Sequence, residues 1–525
     1  MSENVSKPRV IALGLDGFDP ELAHRFVAEG EMPALKKLKD SCAVFPLDHG
    51  ADRLSGLAWE HVSTGQGPQK SGRWSAVSFD PIQYEVSQTP TSNPPFTAGL
   101  PIKAVVFDAP YFDLCRAPNT QGLVSWGAHD PGTRPQSNPL ELADELRTRF
   151  GEYAGRDYIY AFTWPNIART QHAGEALARA VEQRAAITRW LLTQRLTNWD
   201  LALVVMSEFH SIIEPMWHGL DPHHALHTHP SAEASDAAVR KVYRSADKFF
   251  AMLTDLHPDA SIVAFSMHGM GPNHADVPSM LLLPELLYRR RFGRSLFQPL
   301  PSWENGNPPL LEPDQVWEPT VLSCLCHSRH GKFAALRRLL GIADQIASPT
   351  HNLAWMPTSH YARYWPRMDA FALPSFYDGR IRINLRGREG RGNVIEKTYD
   401  KICDQLETML KDCRDAITGE YAVRQVMRRS FNEAIALNTT ESDIHVVWNG
   451  PSLGLNHPKF GRIGPAPIRR TGGHTGGHGI AYIRDSRLRK GSSCTRSSFD
   501  VVPTILSILG LEKPSHFSGR SILAS

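Results

Sequence analysis

The sequence predicts an α/β protein: a doubly wound, mostly parallel sheet flanked by helices, with an inserted cap. Three observations point there. Five short apolar runs, VIALGL (10–15), AVVF (104–107), LALVVM (201–206), SIVAF (261–265) and HVVW (445–448), are continuous rather than alternating, as strands buried on both faces are. Helix-like segments lie between them at 20–40, 138–150, 172–196, 234–256, 396–414 and 500–510, which gives the βαβα alternation of such a fold. A chain of 525 residues is also long enough for one large core with an insertion.

Taken in order, a short polar lead runs directly into VIALGL, whose last residue precedes Asp16. AVVF, LALVVM and SIVAF follow, separated by helical stretches, and HVVW is expected as a late strand of the same sheet. The region 280–370 breaks the pattern. It carries RRRFGRS, proline-rich turns and the basic stretch HSRHGKFAALRRLLGIADQIA with few strand signals. The expected division is a core of 1–279 and 371–525 and an inserted cap or lid of 280–370.

Charge and cysteine usage exclude several classes. The net charge of +3 is spread along the chain, which argues against a nucleic acid polymer or an anionic membrane surface as partner. Seven cysteines (42, 115, 324, 326, 403, 413 and 494) show no repeated metal-ligand spacing and read as reduced thiols. No apolar run reaches 18 residues and no secretory h-region precedes the first strand, so a soluble, cytoplasmic protein is expected.

Open α/β sheets bind ligands beyond the carboxyl ends of their strands. Here those ends carry Asp16, then Ser207, Glu208 and His210, then His268. Three strand ends bearing carboxylate or imidazole groups predict a site. The residue before His268 is Met267, a thioether where a carboxylate ligand would suit a metal better.

These residues resemble the alkaline phosphatase superfamily, specifically its type I phosphodiesterase and nucleotide pyrophosphatase branch. LGLDGFD (13–19) is similar to the family's first strand, with Asp16 in the place of a metal ligand. LSGLAWEHVSTGQGPQKSG (54–72) is similar to the nucleophile segment, with Ser55, Trp59, Thr64 and Gly65 at the matching positions. HSIIEPMWHGLDP (210–222) resembles the segment that supplies two ligands four apart, here His210 and Glu214, followed by Trp217. SMHGMGP (266–272) resembles a Ser-Asp-His-Gly turn, and TGGHTGGHG (471–479) the late segment that supplies the last histidine, His474. MDAFALPSFYDGRIRINLRGRE (368–389) and DVVPTILSILGLEKPSHFSGRSI (500–522) resemble two further landmarks.

The resemblance implies a metal-dependent hydrolase of phosphate esters, of phosphodiesterase or pyrophosphatase type, acting on a small-molecule substrate through a phosphoseryl intermediate on Ser55. One divalent cation is implied at Asp16, Ser55, the turn's aspartate and His268. The other is implied at the pair four apart and His474. The sequence departs from that pattern at His210 (for Asp), Glu214 (for His) and Met267 (for Asp). His210, Glu214 and His474 still make a set that zinc accepts. Met267 leaves the other position one ligand short, and Glu208 is the candidate substitute. A phosphoryl-group transferase, or a non-hydrolytic relative that only binds a ligand, are the alternatives; sulfatase is disfavoured because no Arg follows Ser55 at that family's spacing. Trp59, His129, Asp130, Asn273 and His478 are candidate substrate contacts. The His-rich stretch 221–230 reads as a solvated loop with a metal tract as the alternative, and Arg386, Arg388 and Arg391 read either as a solvated face or as an anion-holding segment.

Overall fold

The computed structural model describes residues 8–128, 133–160, 166–304, 306, 308–312, 315–325 and 352–524. VIALGL forms strand β1 (Val10–Leu15), buried at all six positions. Further strands of the same sheet are β2 (Ala43–Asp48), β3 (Ala104–Phe107), β4 (Thr120–Val124), β5 (Leu201–Met206), β6 (Ser261–His268) and β7 (His478–Arg484). They run in the order β2-β7-β6-β1-β5-β3-β4, within a sheet that counts ten strands among the described residues. β1 pairs in parallel with β5, from Val10 opposite Leu201 to Leu15 opposite Met206, and with β6 on its other side. β3 is parallel to both β4 and β5. β7 lies antiparallel between β6 and β2.

Helices cover both faces, which explains the unbroken apolar runs. On one face pack α1 (Ile167–Trp190), α2 (Glu208–Leu220) and α3 (Ala232–Leu256), whose apolar residues join those of β1 and β5 in one cluster. The opposite face is covered by Val501–Ile508 and by the segment of Trp59 and Val62. α1 starts five residues earlier than expected because the Asn166 side chain caps it, accepting from the amides of Ala168 and Arg169. The expected helix 20–40 is two helices, Pro20–Ala28 and Pro33–Ser41. Gly30 adopts φ +81° between them, a left-handed turn that ends the first helix.

One expected core strand belongs elsewhere. HVVW lies in Ile444–Trp448, which pairs with Gly379–Ile383 and Val423–Arg428 in a separate four-stranded antiparallel sheet. The reason is visible in the burial. Ile444, Val446 and Trp448 point inward while His445 and Val447 are half-buried, the period-2 pattern of a sheet with one packed face. That sheet, the described residues of 280–370 and the hairpin around Val77 and Val86 share one apolar cluster. The basic stretch 327–347 lies outside the described residues. Among the described residues, no helix is long and apolar enough to cross a membrane.

Candidate active site

The carboxyl ends of β1, β5 and β6 open into a cleft lined by Asp16, His210, His268 and His474. β1 delivers Asp16 and then Gly17, whose φ is +71°. A Cβ on Gly17 would stand 2.3 Å from the Cα of His210, so only glycine lets the first turn of α2 press against the strand end. The His210 amide donates to the Asp16 carbonyl at 3.0 Å and ties the two segments together. Trp59 Nε1 donates to Asp16 Oδ1 at 2.7 Å, fixing the carboxylate's rotation.

His210 and Glu214 sit one turn apart on α2, and His474 arrives on the loop that leads into β7. His210 Nε2 is 3.0 Å from His474 Nε2 and 3.2 Å from Glu214 Oε1; His474 Nε2 is 4.0 Å from the same oxygen. All three residues are buried. Four-coordinate ligands at metal-bond lengths of about 2.0–2.1 Å stand about 3.3 Å from one another. The observed spacings bracket that value, so this set fits a divalent cation.

Burial and neighbouring charges act differently on the members of the set. Burial opposes charge on His210, but the Glu214 and Asp16 carboxylates outweigh it and raise its pKa. Burial holds His474 neutral, reinforced by His268 and His210, and burial lowers His268 to about 4. Burial raises the pKa of Asp16. A neutral imidazole is the form that ligates.

Three residues that the sequence reading did not single out complete the surroundings. Arg470 donates through Nη1 to Glu214 Oε1, and through Nε and Nη2 to both oxygens of Asp276 at 2.7 and 2.8 Å. It therefore fixes Glu214 from behind and balances its charge. The signal was the basic pair Arg469-Arg470 immediately ahead of TGGH. Tyr377, from the FYDGR stretch, packs its ring edge-on to His474 with centroids 4.7 Å apart. Arg53, two residues before Ser55, lines the cleft and donates to the Gly476 carbonyl at 3.2 Å.

Asp16, Met267 and His268 line the cleft beside that set. Met267 is 4% exposed and packs in one apolar cluster with Trp59 and Phe265. Ser55 ends a short 3₁₀ helix and is buried; its Oγ accepts the Leu57 amide at 3.1 Å. Its neighbours Arg53 and Gly56 line the cleft, and Ser55 itself does not. Glu208 does not fill the gap at Met267. Arg184 Nε reaches both of its oxygens at 3.1 and 3.0 Å, Arg184 Nη2 adds a contact at 2.9 Å, and the Tyr153 hydroxyl donates at 3.1 Å. Both residues of that ion pair are fully buried, and Asp108 shares the guanidinium at 2.8 Å. Glu208 is thus committed to the buried pair with Arg184 and is not among the residues that line the cleft.

Asn273 serves the backbone, accepting from the amides of Ala275 and Asp276 and donating to the Gly472 carbonyl. His478 is exposed and stands opposite His268 in the β6–β7 pairing. His129 and Asp130 lie outside the described residues. In the His-rich stretch, His227 and His229 bond to the His218 carbonyl and the Ser231 hydroxyl. Arg388 is paired with Glu389 and Asp443.

Comparison with known proteins agrees with this architecture. Direct comparison with curated protein sequences finds no match. The wild-type alkaline phosphatase PafA superposes over 99% of both chains at 11% identity with a TM-score of 0.52, a likeness of fold. Phosphonoacetate hydrolase from Sinorhizobium meliloti 1021, in complex with phosphonoformate, is 15% identical over 96% of this chain and 95% of its own, TM-score 0.49. An inactive murine ectonucleotide pyrophosphatase/phosphodiesterase 5 in complex with AMP is 10% identical over 98% of each chain, TM-score 0.43. The sequence model of type I phosphodiesterase / nucleotide pyrophosphatase matches residues 10–302. That span is more than half of the chain and includes Asp16, Ser55, His210, Glu214 and His268, so the protein belongs to the type I phosphodiesterase / nucleotide pyrophosphatase family.

Proposed function

We propose that the protein hydrolyses phosphate esters, with diester or pyrophosphate-type bonds preferred over monoesters, using a divalent cation held by His210, Glu214 and His474 and Ser55 as nucleophile. The observation that carries this reading is the convergence of three buried donor atoms, His210 Nε2, Glu214 Oε1 and His474 Nε2, from α2 and the loop ahead of β7 in a chain of this family. Two imidazoles and a carboxylate make a set that zinc takes readily, and zinc is the ion we assign. When bound, the cation would stabilise charge on the phosphoryl oxygens and lower the pKa of the attacking hydroxyl.

The chain's own groups hold the rest. Trp59 keeps one oxygen of Asp16 occupied and the other directed away from the indole. Arg470 holds Glu214 in its rotamer, and the cleft walls of Trp59, Met267 and Tyr377 limit water. Ser55, on the segment whose Arg53 and Gly56 line the cleft, would lose its hydroxyl proton and form the Oγ–P bond as the ester's leaving oxygen departs and is protonated, and water then cleaves the phosphoserine. Free thiols at Cys42, Cys403 and Cys413, all buried, suit a reducing, cytoplasmic setting.

The test is Ser55→Ala. Turnover of bis(p-nitrophenyl) phosphate should fall by several orders of magnitude while zinc content stays unchanged. A near-normal rate in that variant overturns the assignment of Ser55.

A further inference from the structure

A second cleft joins the first, because Arg53, Phe376, Tyr377 and His474 line both. Its outer end carries Arg424 and His274, and no aspartate or glutamate is among its lining residues. Several neighbouring arginines, by contrast, hold carboxylate partners. Arg428, on the same strand as Arg424, pairs with Asp404; the next residue, Arg429, pairs with Glu441 at 3.1 Å; Arg380 pairs with Asp378 at 3.0 Å. Arg470, behind Glu214, has both Glu214 and Asp276. Among the described residues, Arg53 and Arg424 have no carboxylate within 4.0 Å, and the contact that orients Arg53 is the Gly476 carbonyl.

Two guanidinium groups that face a shared cleft without counter-ions favour an anion there, since arginine's fork of donors matches carboxylate and phosphoryl oxygens. Phe376, Val447 and Trp448 give the second cleft apolar wall, Asn273 and Thr475 are polar members of its lining, and Arg424 stands exposed at its rim. Arg53 lines both clefts, the main one with its histidines and the second one with Arg424. A phosphoryl group among His210, His268 and His474 would therefore leave the rest of its molecule pointing along the second cleft.

We propose that the substrate is a phosphate ester whose organic portion carries a second anionic group, a carboxylate or a further phosphoryl group, bound by Arg424 with Arg53 between the two charges. This rests on the reading of the main cleft as the phosphoryl site. Other lengths of organic chain fit as long as they reach from one cleft into the other.

The test separates the two readings because it requires no turnover. Calorimetric titration of the zinc-loaded protein with propylphosphonate, 3-phosphonopropionate and ethane-1,2-diphosphonate compares ligands of similar length that differ in the second charge. At least one of the doubly charged ligands should bind about tenfold or more tightly than propylphosphonate. Which one does so distinguishes a carboxylate from a phosphoryl partner. Arg424→Gln should remove most of that margin and Arg424→Lys should restore part of it. Equal binding of all three by the unaltered protein, binding of none, or a margin that survives Arg424→Gln overturns the proposal. If the margin is found while no phosphodiester is turned over, the hydrolase reading fails and the anion subsite stands.

Discussion

Replacing Met267 by aspartate should produce a protein whose stability depends on zinc. The Met267 side chain is 4% exposed and belongs to the apolar cluster of Trp59 and Phe265. Losing that packing and introducing a carboxylate beside Asp16, whose own pKa burial already raises, should together cost the metal-free protein about 3–5 kcal/mol. A cation that bridges the new carboxylate, Asp16 and His268 would return about 2.7 kcal/mol at 100 times its dissociation constant and about 4.1 at 1,000 times. Urea denaturation of both proteins, in chelator and in graded zinc, reads this as a shift in midpoint. Met267→Asn supplies the control, since it removes the same packing without adding charge. The expected order of zinc-induced stabilisation is Met267→Asp above the unaltered protein and above Met267→Asn. If Met267→Asp gains no more from zinc than the unaltered protein does, the side chain does not face a cation position, and Met267 is packing alone.

Further outcomes follow from the same structure. Arg184→Met strands the fully buried carboxylates of Asp108 and Glu208 and should cost about 3–5 kcal/mol in chemical denaturation; adding Glu208→Gln should recover part, and a fully additive double mutant would refute the coupling. Glu214→Ala should lower bound zinc by one equivalent per chain in elemental analysis, and unchanged content would remove Glu214 from the ligand set. Burial, with neighbouring positive groups, lowers both His61 and His218 to about 3. Their folded pKa lies below the unfolded value, so the stability they permit is complete above the ordinary histidine range and is lost as pH falls through it toward 3. Two such groups should steepen the fall by up to about 2.7 kcal/mol per pH unit, measured by denaturation from pH 7 to 4. His218→Asn should make that fall shallower, and an unchanged slope would show that His218 does not titrate on unfolding.

The central sheet was legible because strands buried on both faces must be apolar throughout, and VIALGL, AVVF, LALVVM and SIVAF are. HVVW misled for the converse reason: with His445 and Val447 on its outer side, a four-letter apolar run does not reveal whether one face or two are covered. Of the site, Asp16, His210, Glu214, His268 and His474 were readable at strand ends or through resemblance, and the structure brings them together around one cleft. Arg470 was not, because an arginine in a Gly-rich, basic stretch has no spacing that tells a solvated group from one clamped between Asp276 and Glu214. Glu208 was misjudged similarly. Its partner Arg184 lies 24 positions away in the middle of a helix, where nothing in the local pattern marks it as buried.

The strand order carries a consequence for how the protein is made. β1, the first strand, has as its immediate neighbours β5 and β6, with Val10 opposite Leu201 on one side and Ser261 on the other. His474 reaches the cleft only with β7, which pairs along β6 from the far side. At elongation rates of about 5–20 residues per second, roughly 20–90 s separate the synthesis of Asp16 from that of His474. Until then the nascent chain has an uncapped edge at β6 and holds two of the three convergent donors, His210 and Glu214, without the third. On the proposed ligand set, metal capture would be a late event in biosynthesis, and the cation would tie the loop ahead of β7 to α2.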